Sequence, residues 1–188
     1  MSEHPDIDIP TERMTVEEFW KWDEAQPVGR FELEDGHIVR MQAENNRHNL
    51  TKMAVYSATR EAVKRAGLDC TVLGDGCSVR IDDWTVFEPD MTLQCNVPID
   101  LDSLEATSPI LLVEVMSKST SHIDMGRKMS AYFSLPSVEH YLVVDAKKKL
   151  VLHHRRNGDE IATRFVTEGV LSLQPPGFRM DVADFWVA

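Results

Sequence analysis

One acid stands where an acid is costly. Glu114 lies inside the apolar run Ile110, Leu111, Leu112, Val113 and Val115, a pattern that predicts a strand buried on both faces. A carboxylate there must be ion-paired, protonated or bound to a cation. Asp90 follows Pro89 in the stretch 85–94, where Phe87, Pro89 and Met91 share one face and Glu88, Asp90 and Thr92 the other. An acid beside a proline is also an ordinary turn residue. Two carboxylates at the C-terminal parts of two strands can instead converge on one hard cation. Oxygen-only ligation suits Mg²⁺ or Mn²⁺, which polarises a phosphodiester and acidifies an attacking water.

Lys128, Glu32 and His48 join the candidates. Asp124 and Lys128 stand one helical turn apart, with Tyr132 one turn further on the same stripe. The plain reading is a surface ion pair. The other is that a helix leaving directly from the Glu114 strand lets the Lys128 ammonium reach back over the strand end, where it could orient a water or neutralise developing charge. Glu32 falls on a partly apolar face of a predicted hairpin, opposite Val39, whereas Glu34 lies at the turn. That makes Glu32 the odd acid of the pair. His48 opens a long helix and is either a solvated residue or, at a helix start that favours anions, a contact for substrate or phosphate.

The elements that must position these groups can be read from pattern. Thr15-Val16-Glu17-Glu18 is a capping box, so a short helix starts near residue 16. Residues 30–34 and 37–41 alternate around Asp35-Gly36, a type I′ hairpin signal. Asn49 to Ala66 has helical periodicity, with Gly67 as its stop. Strands are predicted near 70–73, 77–82, 85–94, 109–116, 139–144, 149–155 and 160–166. A helix covers His122 to Phe133, and the tail is read as Pro175-Pro176-Gly177 followed by a short amphipathic end. This order predicts an α/β (α+β) architecture, a mixed sheet flanked by helices, with an N-terminal helix and hairpin.

Composition narrows the function classes. The 188 residues suit one domain, expected over 14–188 after a disordered leader, 1–13. The N-terminal residues have no basic and apolar segments of a secretory signal, and no apolar run is long enough to span a bilayer. Cys70, Cys77 and Cys95 lack metal-knuckle spacing and are expected to be reduced thiols in a cytoplasmic protein. The net charge of −11 opposes avid, non-specific attraction to duplex DNA. Nucleic acid therefore fits as a substrate rather than as a generally bound partner. No membrane partner is expected, and a second copy of the chain is a candidate partner.

Taken together, these residues resemble the Uma2 (DUF820) family. The matching stretches are Arg30-Phe31-Glu32-Leu33-Glu34-Asp35-Gly36, then His48, then Glu88-Pro89-Asp90. They continue with Glu114-Val115-Met116-Ser117-Lys118-Ser119-Thr120, with Asp124, Lys128 and Tyr132, and with Tyr141 to Asp145. The likeness runs from about Thr15 to Phe185. It implies the restriction-endonuclease-like PD-(D/E)xK fold, with Asp90 and Glu114 as metal carboxylates and Glu32 as an additional acid. The lysine that usually follows two residues after the second acid is replaced here by Met116. The resemblance implies that it has moved to the next helix, onto Lys128. Lys118 ranks below it, because strand alternation points it along the loop.

Two functions follow. One is a Mg²⁺- or Mn²⁺-dependent endonuclease, with DNA as the first substrate to expect and other phosphoesters behind it. The other is a catalytically inactive interaction or regulatory module, favoured by the acidic charge and by Met116.

Overall fold

The computed structural model describes residues 7–117 and 122–186, with only the backbone of 122–124. The chain runs α1 (Val16–Glu24), β1 (Phe31–Glu34), β2 (His37–Arg40), α2 (Asn46–Ala66), β3 (Cys70–Gly74), β4 (Val79–Asp82), β5 (Thr85–Phe87) and β6 (Met91–Cys95). It continues through β7 (Pro109–Val115), α3 (His122–Ser134), β8 (His140–Asp145), β9 (Leu150–Asn157), β10 (Glu160–Val166), β11 (Val170–Leu173) and β12 (Phe178–Asp181) to a closing 3-10 turn, Val182–Phe185. This is the mixed α+β architecture expected, and it forms two compact units. The first comprises 1–43 and 80–87, the second 44–79 and 88–188.

In the first unit the capping box forms as read. The Thr15 hydroxyl accepts from the Glu18 backbone N–H, and the Glu18 carboxylate accepts from the Thr15 N–H. The sheet order is β2-β1-β5-β4. Asp35 and Gly36 both take positive φ, 49° and 79°, as a type I′ turn requires. That turn sets the predicted register: Glu34 opposite His37, Leu33 opposite Ile38, Glu32 opposite Val39. Val16, Phe19, Phe31, Leu33 and Val86 form the core, and Ile7 and Ile9, from the segment read as a leader, pack against it.

The second unit is built on a six-stranded sheet of order β10-β9-β8-β7-β6-β3. β7 sits inside it, antiparallel to β6 and parallel to β8. A parallel step needs a crossover, and α3 supplies it. Asn45 caps α2, its side chain accepting from the His48 N–H, and Gly67 ends the helix in the left-handed conformation at φ 65°. Val55, Ala62 and Val63 of α2 join a core with Leu111, Val113 and Val115 of β7 and with Leu171, Leu173, Phe178 and Met180 of β11 and β12.

Three expectations are corrected. The strand predicted over 85–94 is broken at Glu88-Pro89-Asp90 into β5 and β6; proline cannot donate a ladder hydrogen bond. The segment around Pro175-Pro176-Gly177, for which no strand was predicted, is a hairpin. β11 and β12 alternate buried and exposed residues on both sides of Pro175-Pro176-Gly177, a period of two that the proline pair obscured. Finally, Cys70 and Cys95 are disulfide-bonded, with only Cys77 free among the described residues. They face each other in register on β3 and β6, Cα atoms 4.0 Å apart. Strand pairing, invisible in the spacing of cysteines, brings them together and removes the cysteine argument for a cytoplasmic location.

Candidate active site

The antiparallel pairing of β6 and β7 decides the site. Met91 pairs with Val113, and one step beyond that pair stand Asp90 and Glu114. Asp90 thus lies just before the N-terminal end of β6, and not in the C-terminal part of a strand. Because β6 runs against β7, that start meets the end carrying Glu114. Asp90 is locked there by the Val115 N–H, which donates to its Oδ2 at 2.6 Å.

Glu114 is gripped from α3. Lys128 Nζ donates to Glu114 Oε1 at 2.9 Å, and the Tyr132 hydroxyl donates to the same oxygen at 2.8 Å. The i, i+4 stripe on α3 therefore does aim at Glu114. The side chain of Asp124 and all of Lys118 lie outside the described residues. Tyr132 is itself fixed by an edge contact with Tyr141 of β8, ring centroids 5.2 Å apart. The C-terminal end of α3 is held by Arg156 of β9, whose guanidinium donates to the carbonyls of Phe133, Leu135 and Val138 at 2.8–2.9 Å. Cationic donors at a helix C-terminus satisfy carbonyls left open by the helix.

From α2 and the residues just before it comes a third set of groups, two of which the sequence reading missed. His48 is 6% exposed, which excludes the solvated reading. Its Nε2 lies 2.7 Å from the Val115 carbonyl. A carbonyl only accepts, so Nε2 carries a proton, and the ring's other nitrogen is Nδ1. That Nδ1 is buried with no hydrogen bond, although Glu44 Oε2 stands 3.2 Å away. Lys52, 5% exposed, ion-pairs with Glu44, with Asp75 at 2.8 Å and with Asp90 at 3.7 Å. The missed residues had a signal: Glu44, His48 and Lys52 recur every four residues.

Electrostatics follow from burial. Desolvation pushes Asp90 above the ordinary carboxylate range, against the pull of the Val115 N–H, His48 and Lys52. Desolvation likewise raises Glu114, aided by the Asp90 charge and opposed by Lys128. Burial pulls Lys52 down, but Asp75, Glu44 and Asp90 together lift it above the usual lysine value. The carboxylates are thus under-compensated by the cations the protein supplies. Ligand atoms of Glu44, His48 and Asp90 all lie within 4.8 Å of one another, an oxygen-rich donor set with one imidazole. Such a set suits a hard divalent cation. Glu32 belongs to the first unit, where it is 8% exposed on β1.

The family model of Uma2, described as "putative restriction endonuclease", matches residues 16–183. The chain belongs to the Uma2 family. This Uma2 chain is 28% identical over 179 residues to the uncharacterized protein slr1290 of Synechocystis sp. (strain ATCC 27184 / PCC 6803 / Kazusa), covering 92% of both. A second uncharacterized protein of that organism, sll1609, is 31% identical over 75 residues, 39% of this chain and 42% of that one. Among solved structures, a DUF820 protein of Anabaena variabilis ATCC 29413, titled "putative nuclease", superposes with a TM-score of 0.72. The identity is 14%, over 92% of this chain and 97% of the other. At that identity the likeness establishes the shared fold. No helix among the described residues is long and apolar enough to cross a membrane.

Proposed function

We propose that this Uma2 protein is a Mg²⁺- or Mn²⁺-dependent nuclease that hydrolyses phosphodiester bonds, DNA being the first substrate to test. One observation carries the reading: Asp90 and Glu114 meet at the end of the β6–β7 pair with an ammonium 2.9 Å from Glu114. Asp90 and Glu114 would hold the ion, with Glu44 and His48 Nδ1 within reach of the same region. When bound, the cation supplies Lewis acidity toward a phosphodiester. The protein's own groups do the rest. The Val115 N–H fixes the Asp90 carboxylate, and Tyr132 fixes Glu114. Lys128 places positive charge where charge would develop on the phosphate, beside carboxylates already desolvated by burial. In this reading Lys128 stands in for the lysine absent at Met116, whose N–H donates to the Val144 carbonyl. His48 is proposed as a further contact for substrate or ion.

The test is cleavage of single-stranded and duplex DNA with Mn²⁺, with Mg²⁺ and with a chelator. Metal-dependent product from the wild type, absent in Asp90→Asn, supports the proposal; no cleavage of either substrate under any condition overturns it. One observation favours the inactive-module reading instead. Lys52 and Lys128 already place a cation beside each carboxylate, as a purely structural cluster would. Metal titration of the melting temperature separates the two, since only a bound ligand stabilises by mass action.

A further inference from the structure

The six-stranded sheet ends on β3 at one side and on β10 at the other, and the two edges differ. β3 is five residues long, mostly half-buried, and bonded to β6 through Cys70. β10 is seven residues long and pairs with β9 at seven consecutive positions without a bulge. It contains no proline, lysine or bulge, three of the devices that blunt an edge. Phe165 is 72% exposed and Ile161 41% exposed on one face of it, while Glu160 and Arg164 stand on the other.

We propose that β10 is a self-association edge, to which a second copy of this chain adds its own β10 antiparallel, about a two-fold axis at Thr163. The strand's composition argues for the occupant. Centred on Thr163, the whole strand overlaps: Ile161 faces Phe165 of the second copy, twice over, and Thr163 faces its own equivalent. Apolar pairs and Thr–Thr pairs are favourable cross-strand neighbours. In the same register Glu160 lies diagonally from Arg164 of the second copy, bringing opposite charges together on both sides of the axis. A parallel pairing would set like charges against like and could not close by a two-fold. The closed pair consumes both edges, so no third copy can add. Each copy carries a net charge of −11, so long-range attraction does not drive this contact; the edge must.

Sedimentation across a concentration series from low to several hundred micromolar, on the full chain, reads the association. The wild type is expected to form dimers, and Phe165→Lys to weaken them by at least about tenfold, with an unchanged melting temperature at concentrations low enough to keep the wild type monomeric, because that side chain is exposed. Arg164→Glu should weaken association, and Glu160→Arg combined with Arg164→Glu should restore it. Register is tested by oxidative cross-linking in a Cys77→Ser background. Thr163→Cys should yield covalent dimer, since residues facing across an antiparallel pair are close enough to bridge, and Ile161→Cys should not. A wild type that stays monomeric throughout overturns the proposal in favour of a different strand on this edge. So does a Phe165→Lys variant as dimeric as the wild type, or equal cross-linking at both cysteine positions.

Discussion

Two clusters of buried ionisable groups lie in the second unit, and they resolve their burial in opposite ways. The first is Asp90 and Glu114, where the start of β6 meets the end of β7. The second is His140 and His153 on neighbouring strands β8 and β9. His140 Nε2 donates to the Pro175 carbonyl at 2.6 Å, so its Nδ1 accepts from His153 Nε2 at 3.0 Å. Burial holds His140 down to about 4, and burial with the neighbouring His140 and arginines holds His153 down to about 3. The histidines answer desolvation by staying neutral and bonding to each other. The carboxylates answer it with two lysines and still sit above their ordinary range. The histidine pair needs no added charge; the carboxylate pair is improved by one. That is the difference between a structural polar pair and a site suited to a cation.

The largest expected effect separates the clusters by metal. Mn²⁺ should raise the melting temperature of the wild type and of a His140→Leu/His153→Leu variant. It should leave Asp90→Asn and Glu114→Gln unmoved, with any cleavage lowered about a thousandfold in the carboxylate variants. A shift that survives in both carboxylate variants would remove the metal site from this end of the sheet.

Next comes pH. The histidines are neutral in the fold but titrate near 6.5 once unfolded, so between those values the unfolded chain binds more protons. Their stability is complete above pH 6.5 and is lost as pH falls toward 4 and 3, at most on the order of 3 kcal/mol for His140 and 5 kcal/mol for His153. The raised carboxylates have the opposite sign: their contribution is complete below the ordinary carboxylate values and is lost as pH rises through the raised ones. Urea midpoints measured from pH 7 to pH 3 in chelator should show a shallower acid slope in the His140→Leu/His153→Leu variant. An unchanged slope would break this account of the pair.

Lys128 tests which lysine serves the carboxylates. Lys128→Ala should lower cleavage about a hundredfold and leave metal affinity unchanged or slightly tighter, because a neighbouring positive charge is gone. Lys118→Ala is the comparison in the same nicking assay; a dead Lys118→Ala beside a normal Lys128→Ala would reverse the assignment.

The smallest effect is the metal-free stability of Glu114→Gln. The amide keeps the shape, relieves repulsion from Asp90 and should change stability by no more than about 1 kcal/mol. Leu112→Ala, one pleat away on the same strand, should cost about 2–5 kcal/mol. A comparable loss for Glu114→Gln in urea would mean that the acid belongs to a structural ion pair.

Much of this fold was legible because its signals are local. The Thr15 capping box, the Asp35-Gly36 turn and the register it imposes, and the buried strand around Glu114 each rest on residues within a few positions of one another. The i, i+4 stripe of α3 was also legible, and so was its direction, because the helix leaves straight from the Glu114 strand. Spacing alone left Asp124 as a rival partner for Lys128; the crossover from β7 to β8 delivers Lys128 to Glu114. Glu44, just before α2, and Lys52, on it, went unread because a charged residue on or beside a long helix ordinarily faces water. Only the packing of α2 beside Asp90 and Asp75 makes Lys52 a buried cation.

The sequence by itself determined which strand carries an acid it cannot solvate, which turns reverse the chain, and that no lysine stands at position 116. Tertiary structure alone decided that β6 runs against β7, so that Asp90, at the start of one strand, meets Glu114 near the end of the other. It also joined Cys70 to Cys95 and set His140 against His153. The physical reason is common to all three. Periodicity and capping report which way a side chain points relative to its own backbone, whereas strand order and register decide what it points at.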